Sequence, residues 1–480
     1  MQIDAHSAKR KPDQLLCDIA DYVDKFEIVS TEAYETARFA LMDTLGCGLE
    51  ALEYPECVKL LGPSIPGITS RHFARVPGTQ YELDPVTAAF NISTLVRWVD
   101  FSDTWLGAEG GHPSDNLGAV LAAADYVTRM RRLRGEEPLL MRDVLGYLIK
   151  AYEIQGLIAL DNGFTKHGFD HAGLIRVASA AVATKILGGT SEEIINAVSN
   201  AWVDGQPLRV YRQAPNAGYR KSWAAGDSAS RGVQLALMAL RGEMGYPTVL
   251  TDPKWGLYKV AFDGEPIRLR MPFGSFVMEN ILFKVAFPGC VHGQTALECA
   301  MQLHPLVKDR LDEIREINLW SYEWSIRVVD KKGPLTNAAD RDHCLQYMVA
   351  VGLIKGGITV SDFEDEAASD PRIDALRSKM SVTEDKRFTK EFYELEKRSC
   401  ANGVQVNFTD GTSTRRIDVE YPIGHKRRRS EGFPQLRSKF QVNLARRFPQ
   451  NRRERIINLY DDQAHFEATA VDDFVDSFVI

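Results

Sequence analysis

The chain has 480 residues, of which 44% are hydrophobic and 26% are charged. This composition is ordinary for a soluble globular protein and indicates neither disorder nor a membrane protein, while the length favours two domains over one core. The formal charge of -7, from 65 acidic and 58 basic side chains, argues against nonspecific nucleic-acid binding, so any anion site must be built locally.

Neither the start of the chain nor its cysteines indicate secretion or a metal cluster. The first residues, MQIDAHSAKRKPDQLLCDIADYV, lack the apolar core of a signal peptide, and their basic cluster is too short for a transit peptide. The seven cysteines form no C-x-x-C pair, which gives no support for a cysteine-ligated zinc or a ferredoxin-type cluster. Their odd number favours a reducing compartment. We expect the cytoplasm, or the mitochondrial matrix in a eukaryote.

Between about residues 30 and 250 the sequence predicts one helix after another. Near the start, one helical face follows a cap at Ser30 or Thr31; its residues are Ala33, Ala37, Ala40, Leu41 and Leu45. Further along, an Ala-rich helix is expected to stop at Gly188, and the run TSEE from Thr190 predicts a capping box for the next helix.

After about Phe273 the sequence changes to a mixture of helix and strand. The segment INLWSYEWSIRVV predicts a strand. A hairpin is expected to pair VQVNF with RRIDVEY around a turn at Asp410-Gly411, with Val404, Val406 and Phe408 opposite Ile417, Val419 and Tyr421. SDFEDEAASDPRIDALRSKM predicts an acidic helix, and the end of the chain from about Phe440 is again helical.

The stretch DFSDTWLGAEGGHPSDN, from Asp100 to Asn116, brings carboxylates, hydroxyls and an imidazole together. His112 lies where an Ala-rich helix begins, and the free N–H groups and dipole of a helix start can receive an anion. In the alternative interpretation, Ser114 or Asp115 only caps the helix and His112 is a surface residue. For this stretch taken alone, capping is favoured.

A second histidine, His171, follows Asp170 just before another Ala-rich helix. It is either a functional imidazole or a hydrogen-bonded structural residue. His167, four residues earlier, could share a metal ion with it on a helix, but Gly168 lies between them and the Glu of an H-E-x-x-H motif is absent. The sequence therefore predicts no metal site here.

Further cations and imidazoles lie in RVYRQAPNAGYRKSWAAGD, FKVAFPGCVHGQT and KKGPLTNAADRDHCLQYMVA. They are Arg209, Arg212, Arg220, Lys221, Lys284, His292, His343 and Tyr347. The loop RVYRQAPNAGYRKSWAAGD suits the recognition of carboxylates by its arginine and lysine side chains. In the alternative interpretation, it is only a solvated loop. His292 is either functional or a satisfied structural residue. Tyr347 follows His343 by four residues on a predicted helix. Taken singly, a tyrosine in such a position is more often a core residue. The run GHKRRRSEG is typical of a solvated face.

These segments, in this order, resemble the MmgE/PrpD family, also called the 2-methylcitrate dehydratase family. The likeness spans nearly the whole chain. It is carried by MDTLGCGLEALEYPEC, RVPGTQYELDPVTAAFNI, RWVDFSDTWLGAEGGHPSDNLG, AWVDGQPLRVYRQAPNAGYRKSWAAGD, GEMGYP, KKGPLTNAADRDHCLQYMVA and EYPIGHKRRR. The loop before His112 resembles that of the methylcitrate-cycle branch, because it keeps two residues that the cis-aconitate decarboxylase relatives lack.

The resemblance implies a mainly α fold with a smaller α+β domain. A large all-helical domain is expected to comprise residues 1–273 and 440–480, and a lid domain residues 274–439. The implied activity is the metal-independent loss of water from 2-methylcitrate, which gives 2-methyl-cis-aconitate in propionate breakdown. The resemblance further implies a homodimer, a small tricarboxylate substrate and no cofactor. We expect no nucleic-acid or membrane partner.

Site residues are also implied by the resemblance. The expected catalytic residues are Asp100, His112, His171, Lys221, His292 and Tyr347. The expected substrate-binding residues are Thr104, Arg212, Arg220 and Lys284. At PGCVH, the decarboxylase relatives carry a histidine nearer the proline, where this chain has Cys290.

Loss of water from a tricarboxylate needs a base for a C–H beside a carboxylate, an acid for the hydroxyl, and cations. We expect His112 or His171 as the base, with Asp100 orienting an imidazole, and a protonated histidine or Tyr347 as the acid. Three alternatives stay open. They are a sister lyase or isomerase such as a cis-aconitate decarboxylase, a metallohydrolase using His167 and His171, and a helical interaction protein without turnover.

Overall fold

Two large hydrophobic cores organise the chain, and a third, small cluster includes Leu106 and Phe388. The computed structural model describes residues 11–68, 73–213 and 216–480. The larger core takes in side chains from Leu15 to Val285 and again from Leu436 to Phe478, so the end of the chain packs back on its first half. The smaller core extends from Phe287 to Val419. We call these two parts the helical body and the lid. The expected mainly α fold with a smaller α+β part is confirmed.

The helical body is built from helices of very different length. They are α1 (Gln14–Lys25), α2 (Thr31–Ala51), α3 (Pro55–Val58), α4 (Pro85–Trp98), α5 (Leu117–Leu133), α6 (Met141–Asp161), α7 (Ala172–Ile186), α8 (Ser191–Val203), α9 (Arg220–Ala239), α10 (Leu257–Ala261) and α11 (Phe276–Asn280). Helix α9 packs against both α4 and α7 at the centre of the body. The Ala and Gly residues on these helices permit this close approach, because they have a small side chain or none.

The predicted helix boundaries of the body are confirmed by local hydrogen bonds. Ser30 Oγ accepts a hydrogen bond from the N–H of Ala33 at 3.2 Å and so caps α2. The N–H of Thr190 donates to Glu193 Oε2 at 2.7 Å as part of a capping box at the start of α8. Helix α7 ends before Gly188, whose φ of +96° turns the chain out of the helix.

The lid combines helices with a four-stranded sheet. Its helices are α12 (Val291–Val307), α13 (Glu323–Val329), α14 (Ala338–Arg341), α15 (Leu345–Lys355), α16 (Asp365–Ala368), α17 (Pro371–Arg377) and α18 (Lys386–Tyr393). Short antiparallel ladders of the body join β1 (Ala74–Arg75) to β2 (Glu82–Leu83), and β3 (Asp103–Thr104) to β4 (Leu282–Phe283). The lid strands are β5 (Ile314–Ser321), β6 (Met380–Glu384), β7 (Asn402–Phe408) and β8 (Ile417–Val419), in the order β6-β5-β7-β8. Strand β5 is parallel to β6 and antiparallel to β7.

The lid confirms the predicted hairpin without its full register, and it corrects one further strand prediction and one helix prediction. The hairpin is present as β7 and β8 with Val404 opposite Ile417, but Val419 lies opposite Asn402, and Tyr421 lies beyond the end of β8. The segment INLWSYEWSIRVV is a strand only as far as Ser321. Its second half forms helix α13, for which Tyr322 is the N-terminal cap residue. The predicted acidic helix is broken into α16 and α17 at Pro371, which starts a new helix, and its last residue, Met380, already belongs to β6.

The end of the chain is helical, as predicted. Its helices are α19 (Arg429–Ala445), α20 (Gln450–Asp461), α21 (Gln463–Ala468) and α22 (Val471–Asp476). They pack on the helical body, α19 against α2 and α22 against α5. All seven cysteines are unpaired thiols. In the part of the chain that the structure describes, every helix is too short or too polar to cross a bilayer.

Candidate active site

Four helix starts meet at the boundary between the helical body and the lid. His112 precedes a 3-10 turn, Pro113–Asn116, that leads into α5, and His171 is the N-terminal cap residue of α7. Lys221 lies in the first turn of α9 and His292 in the first turn of α12. Because helix starts carry free N–H groups and the positive end of the helix dipole, this arrangement favours an anionic ligand.

These side chains line a cleft that consists of a cavity of about 640 Å³ and a narrow recess of about 90 Å³. The two spaces share the lining residues Thr165, Arg209, Arg212, Trp324, Val328 and His343. His112, His171 and His292 line the recess, and Lys221 lines the cavity. A cleft of this size, with walls from both parts of the chain, suits a small-molecule ligand. We call it the active-site cleft.

His112 is held in one orientation by the strand that precedes it. Its Nδ1 donates a hydrogen bond to the backbone carbonyl of Asp103 at 2.7 Å and lies 3.4 Å from Thr104 Oγ1. The ring therefore carries its proton on Nδ1 and a lone pair on Nε2. Burial and the neighbouring Arg97 hold the pKa of His112 well below its usual range. His112 is thus a neutral imidazole with a basic nitrogen at neutral pH.

Asp100 neutralises two cations on the floor of the cleft. Its carboxylate forms an ion pair with Arg97, 2.8 Å from Nη1, and accepts a hydrogen bond from Lys284 Nζ, which also donates to the Asp100 carbonyl at 2.9 Å. The Asp100 carboxylate lies 3.8 Å from His112 Nε2, so it faces the basic nitrogen. The hydrogen bond that holds the ring is accepted by the Asp103 carbonyl, and the expected orienting role of Asp100 stays a prediction. The φ of Asp100 is +48°, a strained value for a residue other than glycine.

The two-stranded ladder of β3 and β4 brings Lys284 to this floor. Thr104 pairs with Leu282, and the N–H of Lys284 donates to the Ser102 carbonyl at 2.9 Å. Lys284 is only 1% exposed. A buried ammonium requires a counter-charge, and Asp100 supplies it.

His171 belongs to a separate ion-pair group. Arg212 forms a two-pronged ion pair with Asp170, and Arg212 Nη2 also lies 3.4 Å from His171 Nε2. Burial, aided by Arg212 and Arg209, lowers the pKa of His171 to about 3. The ring of His171 lies 5.8 Å from that of His112. Because Arg212 donates towards Nε2 of His171, the lone pair of this imidazole is less available than that of His112.

The lid contributes two more histidines to the cleft. His343 Nδ1 donates to Asp342 Oδ1 at 2.5 Å, and the other oxygen of Asp342 accepts a hydrogen bond from Lys221 of the helical body. Burial lowers the pKa of His343, and the Asp342 carboxylate opposes this shift. His292 Nδ1 lies 2.5 Å from the hydroxyl of Tyr322, and burial lowers the pKa of His292 to about 3.

One group of side chains has the composition of a cation site. Ligand atoms of Asp100, Asp342 and His343 lie within 4.8 Å of one another. Each carboxylate already has a cationic partner, Lys284 for Asp100 and Lys221 for Asp342. A divalent cation would have to displace these ammonium groups, so the group fits a metal ion poorly.

The histidine pair considered as a metal site does not share a cavity. The ring of His167 packs on Phe262 with 4.8 Å between centroids, and His167 Nδ1 lies 4.0 Å from Asp263. His167 lines a separate surface pocket, whereas His171 lines the active-site cleft.

The structure brings most of the predicted site residues together. Those that line the cleft are Asp100, Thr104, His112, His171, Arg212, Lys221, Lys284 and His292. Tyr347 lies elsewhere, because its hydroxyl donates to the Asp362 carbonyl at 2.5 Å and its ring belongs to the lid core. Arg220 lies outside the cleft lining, with its guanidinium 4.1 Å from the ring of Trp223 and an ion pair to Asp227.

The cleft also contains residues that were absent from the predicted site. Among them are Arg97 and Arg327, together with Arg209 and His343, which belong to the basic and imidazole segments of the sequence but not to the expected site. His343 and Asp342 are adjacent in the sequence, and an acidic residue beside a histidine in a loop was a usable signal for a carboxylate-imidazole pair. Arg97 lies on α4, in a segment whose residues predict a helix and no chemistry.

Comparisons with known proteins agree along the whole chain. A family model described as the MmgE/PrpD N-terminal domain matches residues 17–270, and one described as the MmgE/PrpD C-terminal domain matches residues 287–463. A 2-methylcitrate dehydratase of Cupriavidus necator is 55% identical over 484 residues and covers 100% of both chains. A protein of the same name from Escherichia coli (strain K12) is 55% identical over 98% of each chain. The mitochondrial 2-methylcitrate dehydratase of Yarrowia lipolytica is 48% identical, over 98% of this chain and 91% of its own length.

Proposed function

The chain belongs to the MmgE/PrpD family, and we propose that it removes water from 2-methylcitrate to give 2-methyl-cis-aconitate in propionate breakdown, without a metal ion. The names of its full-length relatives support this substrate. The observation that carries the proposal is the shared cleft, in which uncharged imidazoles lie beside lysine and arginine cations. This combination supplies a base, a proton donor and carboxylate ligands from side chains alone.

His112 is the proposed base. Its Nε2 carries the lone pair because Nδ1 is bound to the Asp103 carbonyl. The base takes the proton from the carbon beside a substrate carboxylate, and the resulting imidazolium lies next to the Asp100 carboxylate, 3.8 Å from Nε2. Asp100 thereby stabilises the charge that forms on His112 during the reaction.

Cations in the cleft are the proposed ligands of the substrate carboxylates. Lys221 and Arg212 come from the helical body, and Arg327 comes from α13 of the lid. The guanidinium of Arg327 lies 5.5 Å from the centroid of the Trp324 ring and has no ion pair with a carboxylate among the described residues. A guanidinium without an acidic partner is ready to form a two-pronged contact with a carboxylate. Thr104, Lys284 and His292 complete the inner wall.

His343 is the proposed acid for the departing hydroxyl. Its Nδ1 is bound to Asp342, so Nε2 is the nitrogen that gains and gives the proton. In the free protein burial keeps this imidazole neutral, but the carboxylates of a bound substrate raise the pKa of a neighbouring histidine. Protonated His343 then passes its proton to the hydroxyl as the carbon–oxygen bond breaks, and water leaves.

The test is an elimination assay on protein treated with a chelator. Formation of the conjugated alkene from 2-methylcitrate is followed by ultraviolet absorbance, and the product is identified by mass spectrometry. We expect full activity after the chelator treatment. Turnover that disappears with the chelator and returns with a divalent cation would contradict the metal-free proposal. Carbon dioxide release from cis-aconitate in place of alkene formation would favour the sister lyase.

The proposal includes a homodimer. Its compartment is the cytoplasm, or the mitochondrial matrix in a eukaryote, and the relative from Yarrowia lipolytica is named as mitochondrial. Exposed apolar side chains between residues 244 and 260 support an interface between subunits. They are Met244, 61% exposed, Trp255, 74% exposed, and Val260, 66% exposed. Light scattering coupled to size-exclusion chromatography tests the dimer, and a monomeric mass at micromolar concentration would contradict it.

A further inference from the structure

A second cavity shares a wall with the active-site cleft. It has a volume of about 400 Å³ and is lined on one side by Thr104, Trp105 and Leu106, which also line the recess of the cleft. Its other walls come from Asn280, Leu282 and residues 395–398 and 425–427. We call this space the rear cavity. The mechanism proposed above uses no side chain that reaches the rear cavity, apart from the wall residue Thr104.

Arg398 is an isolated cation in the wall of the rear cavity. Its guanidinium lies over the ring of Trp105, 4.4 Å from the centroid. Within residues 11–68, 73–213 and 216–480, no carboxylate lies within ion-pair distance of Arg398. Burial lowers the pKa of Arg398 to about 10, as expected for a cation without a counter-charge. The φ of Arg398 is +47°, so the backbone is strained where it presents this side chain.

The basic run that the sequence placed on a solvated face contributes further cations to this cavity. Arg427 Nη2 donates to the backbone carbonyl of Glu396 at 2.9 Å, and its guanidinium has no carboxylate partner in the described chain. Lys397 and Lys426 also line the cavity, paired with Glu391 at 2.7 Å and Glu32 at 3.1 Å.

The lining of the rear cavity contains four cationic side chains and one carboxylate. That carboxylate belongs to Glu396, which is exposed to solvent. His425, the remaining titratable group of the lining, is kept neutral because burial lowers its pKa to about 4. The rear cavity is therefore a positively charged space with two guanidinium groups, those of Arg398 and Arg427, that lack acidic partners.

We propose that the rear cavity is a second anion-binding site, which takes a small polyanion between the guanidinium groups of Arg398 and Arg427. The planar guanidinium matches the paired oxygens of a carboxylate or a phosphate, and an arginine stacked on an aromatic ring is already ordered for binding. A polycarboxylate and an inorganic phosphate share this chemistry. An anion in the site contacts Trp105, whose indole forms part of the wall of the active-site cleft.

Isothermal titration calorimetry with inorganic phosphate and, separately, with propane-1,2,3-tricarboxylate tests the proposal. The full-length protein is compared with Arg398→Gln and Arg427→Gln variants. Lys221→Met is the control for binding in the active-site cleft, and Arg372→Gln is the matched surface control, because Arg372 is exposed and paired with Asp370 at 2.7 Å. The measurement needs no turnover, so its result is independent of the proposed reaction.

We expect at least one of the two anions to bind to the Lys221→Met and Arg372→Gln proteins with the affinity of the parent. Binding of that anion should weaken at least roughly tenfold in Arg398→Gln and in Arg427→Gln, through loss of charge-assisted hydrogen bonds. The anion that binds identifies the site as one for phosphate or for carboxylates.

Two results would overturn the proposal. One is the absence of binding by both anions to the parent protein, and the other is binding that Lys221→Met removes while both arginine variants retain it. Circular dichroism checks the folding of Arg398→Gln. Arg427 is exposed at the rim, so its variant decides the question if Arg398→Gln fails to fold.

Discussion

Replacing His112 by alanine tests the assignment of the general base. Nδ1 of His112 donates to the Asp103 carbonyl at 2.7 Å, so Nε2 is the nitrogen available for the substrate proton. Alanine removes this nitrogen and leaves the floor of the cleft in place, since Asp100 keeps its ion pairs with Arg97 and Lys284. The variant should therefore fold and bind substrate but abstract the proton slowly.

The size of the effect follows from the contribution of a positioned base. General base catalysis supplies roughly 10²- to 10⁴-fold in rate, and each tenfold corresponds to about 1.4 kcal/mol of barrier. We expect His112→Ala to raise the barrier by about 3–5.5 kcal/mol, seen as a loss in both kcat and kcat/KM. His171→Ala should cost less, because Arg212 already occupies its Nε2 at 3.4 Å.

The assay follows the ultraviolet absorbance of the conjugated alkene over a range of 2-methylcitrate concentrations. His167→Ala is the matched control, since His167 packs on Phe262 outside the active-site cleft and should keep the parent kcat/KM. Full activity of His112→Ala would remove His112 from the chemistry. An equal loss in His167→Ala would show that the effect of His112→Ala is not specific to the cleft.

The remaining predictions concern pH and three side chains. Because the pKa of His112 is lowered well below 6.5, the base is neutral above that pKa and is lost only as the pH falls through it. The acid limb of kcat/KM should lie below pH 6.5, and a limb above this value contradicts the assignment. Lys284→Met deprives a buried carboxylate of one cation and should lower the free energy of unfolding by about 3 kcal/mol, measured by chemical denaturation. Tyr347→Phe should cost about 1 kcal/mol, for one lost hydrogen bond, and leave kcat/KM unchanged. Arg220→Gln should also leave kcat/KM unchanged, and a marked loss would place Arg220 in the site.

Local signals in the sequence predicted the parts of the site that depend on helix starts. His112 and His171 each precede an Ala-rich helix, and both lie at a helix start in the cleft. Capping and glycine signals act over a few residues, so the sequence alone is enough to read them. The same holds for the capping box at Thr190 and the end of α7 at Gly188.

Ion pairs between residues that are far apart in the sequence could not be predicted from such local signals. Lys284 lies 184 residues from Asp100, and Lys221 lies 121 residues from Asp342. No periodicity relates such residues, because packing of the lid on the helical body decides which side chains meet. Tyr347 was expected in the site only by the family resemblance, and its side chain lies in the lid core, as is usual for a tyrosine on a helix. Helix α15 begins at Leu345, so His343 lies outside the helix that was predicted to carry both residues.

Charge explains why a site with so many neutral histidines can act on a polyacid. In the free protein, burial lowers the pKa values of His112, His171, His292 and His343. The cleft therefore owes its positive charge to lysine, arginine and helix starts, and these attract the carboxylates of the substrate. Once bound, the substrate's negative charge favours protonation of the nearest imidazole. His343 gains most from this, because Asp342 already accepts from its Nδ1, whereas His112 keeps its lone pair beside Arg97. In the proposed mechanism, a single polyanion thus separates the two imidazoles into an acid and a base.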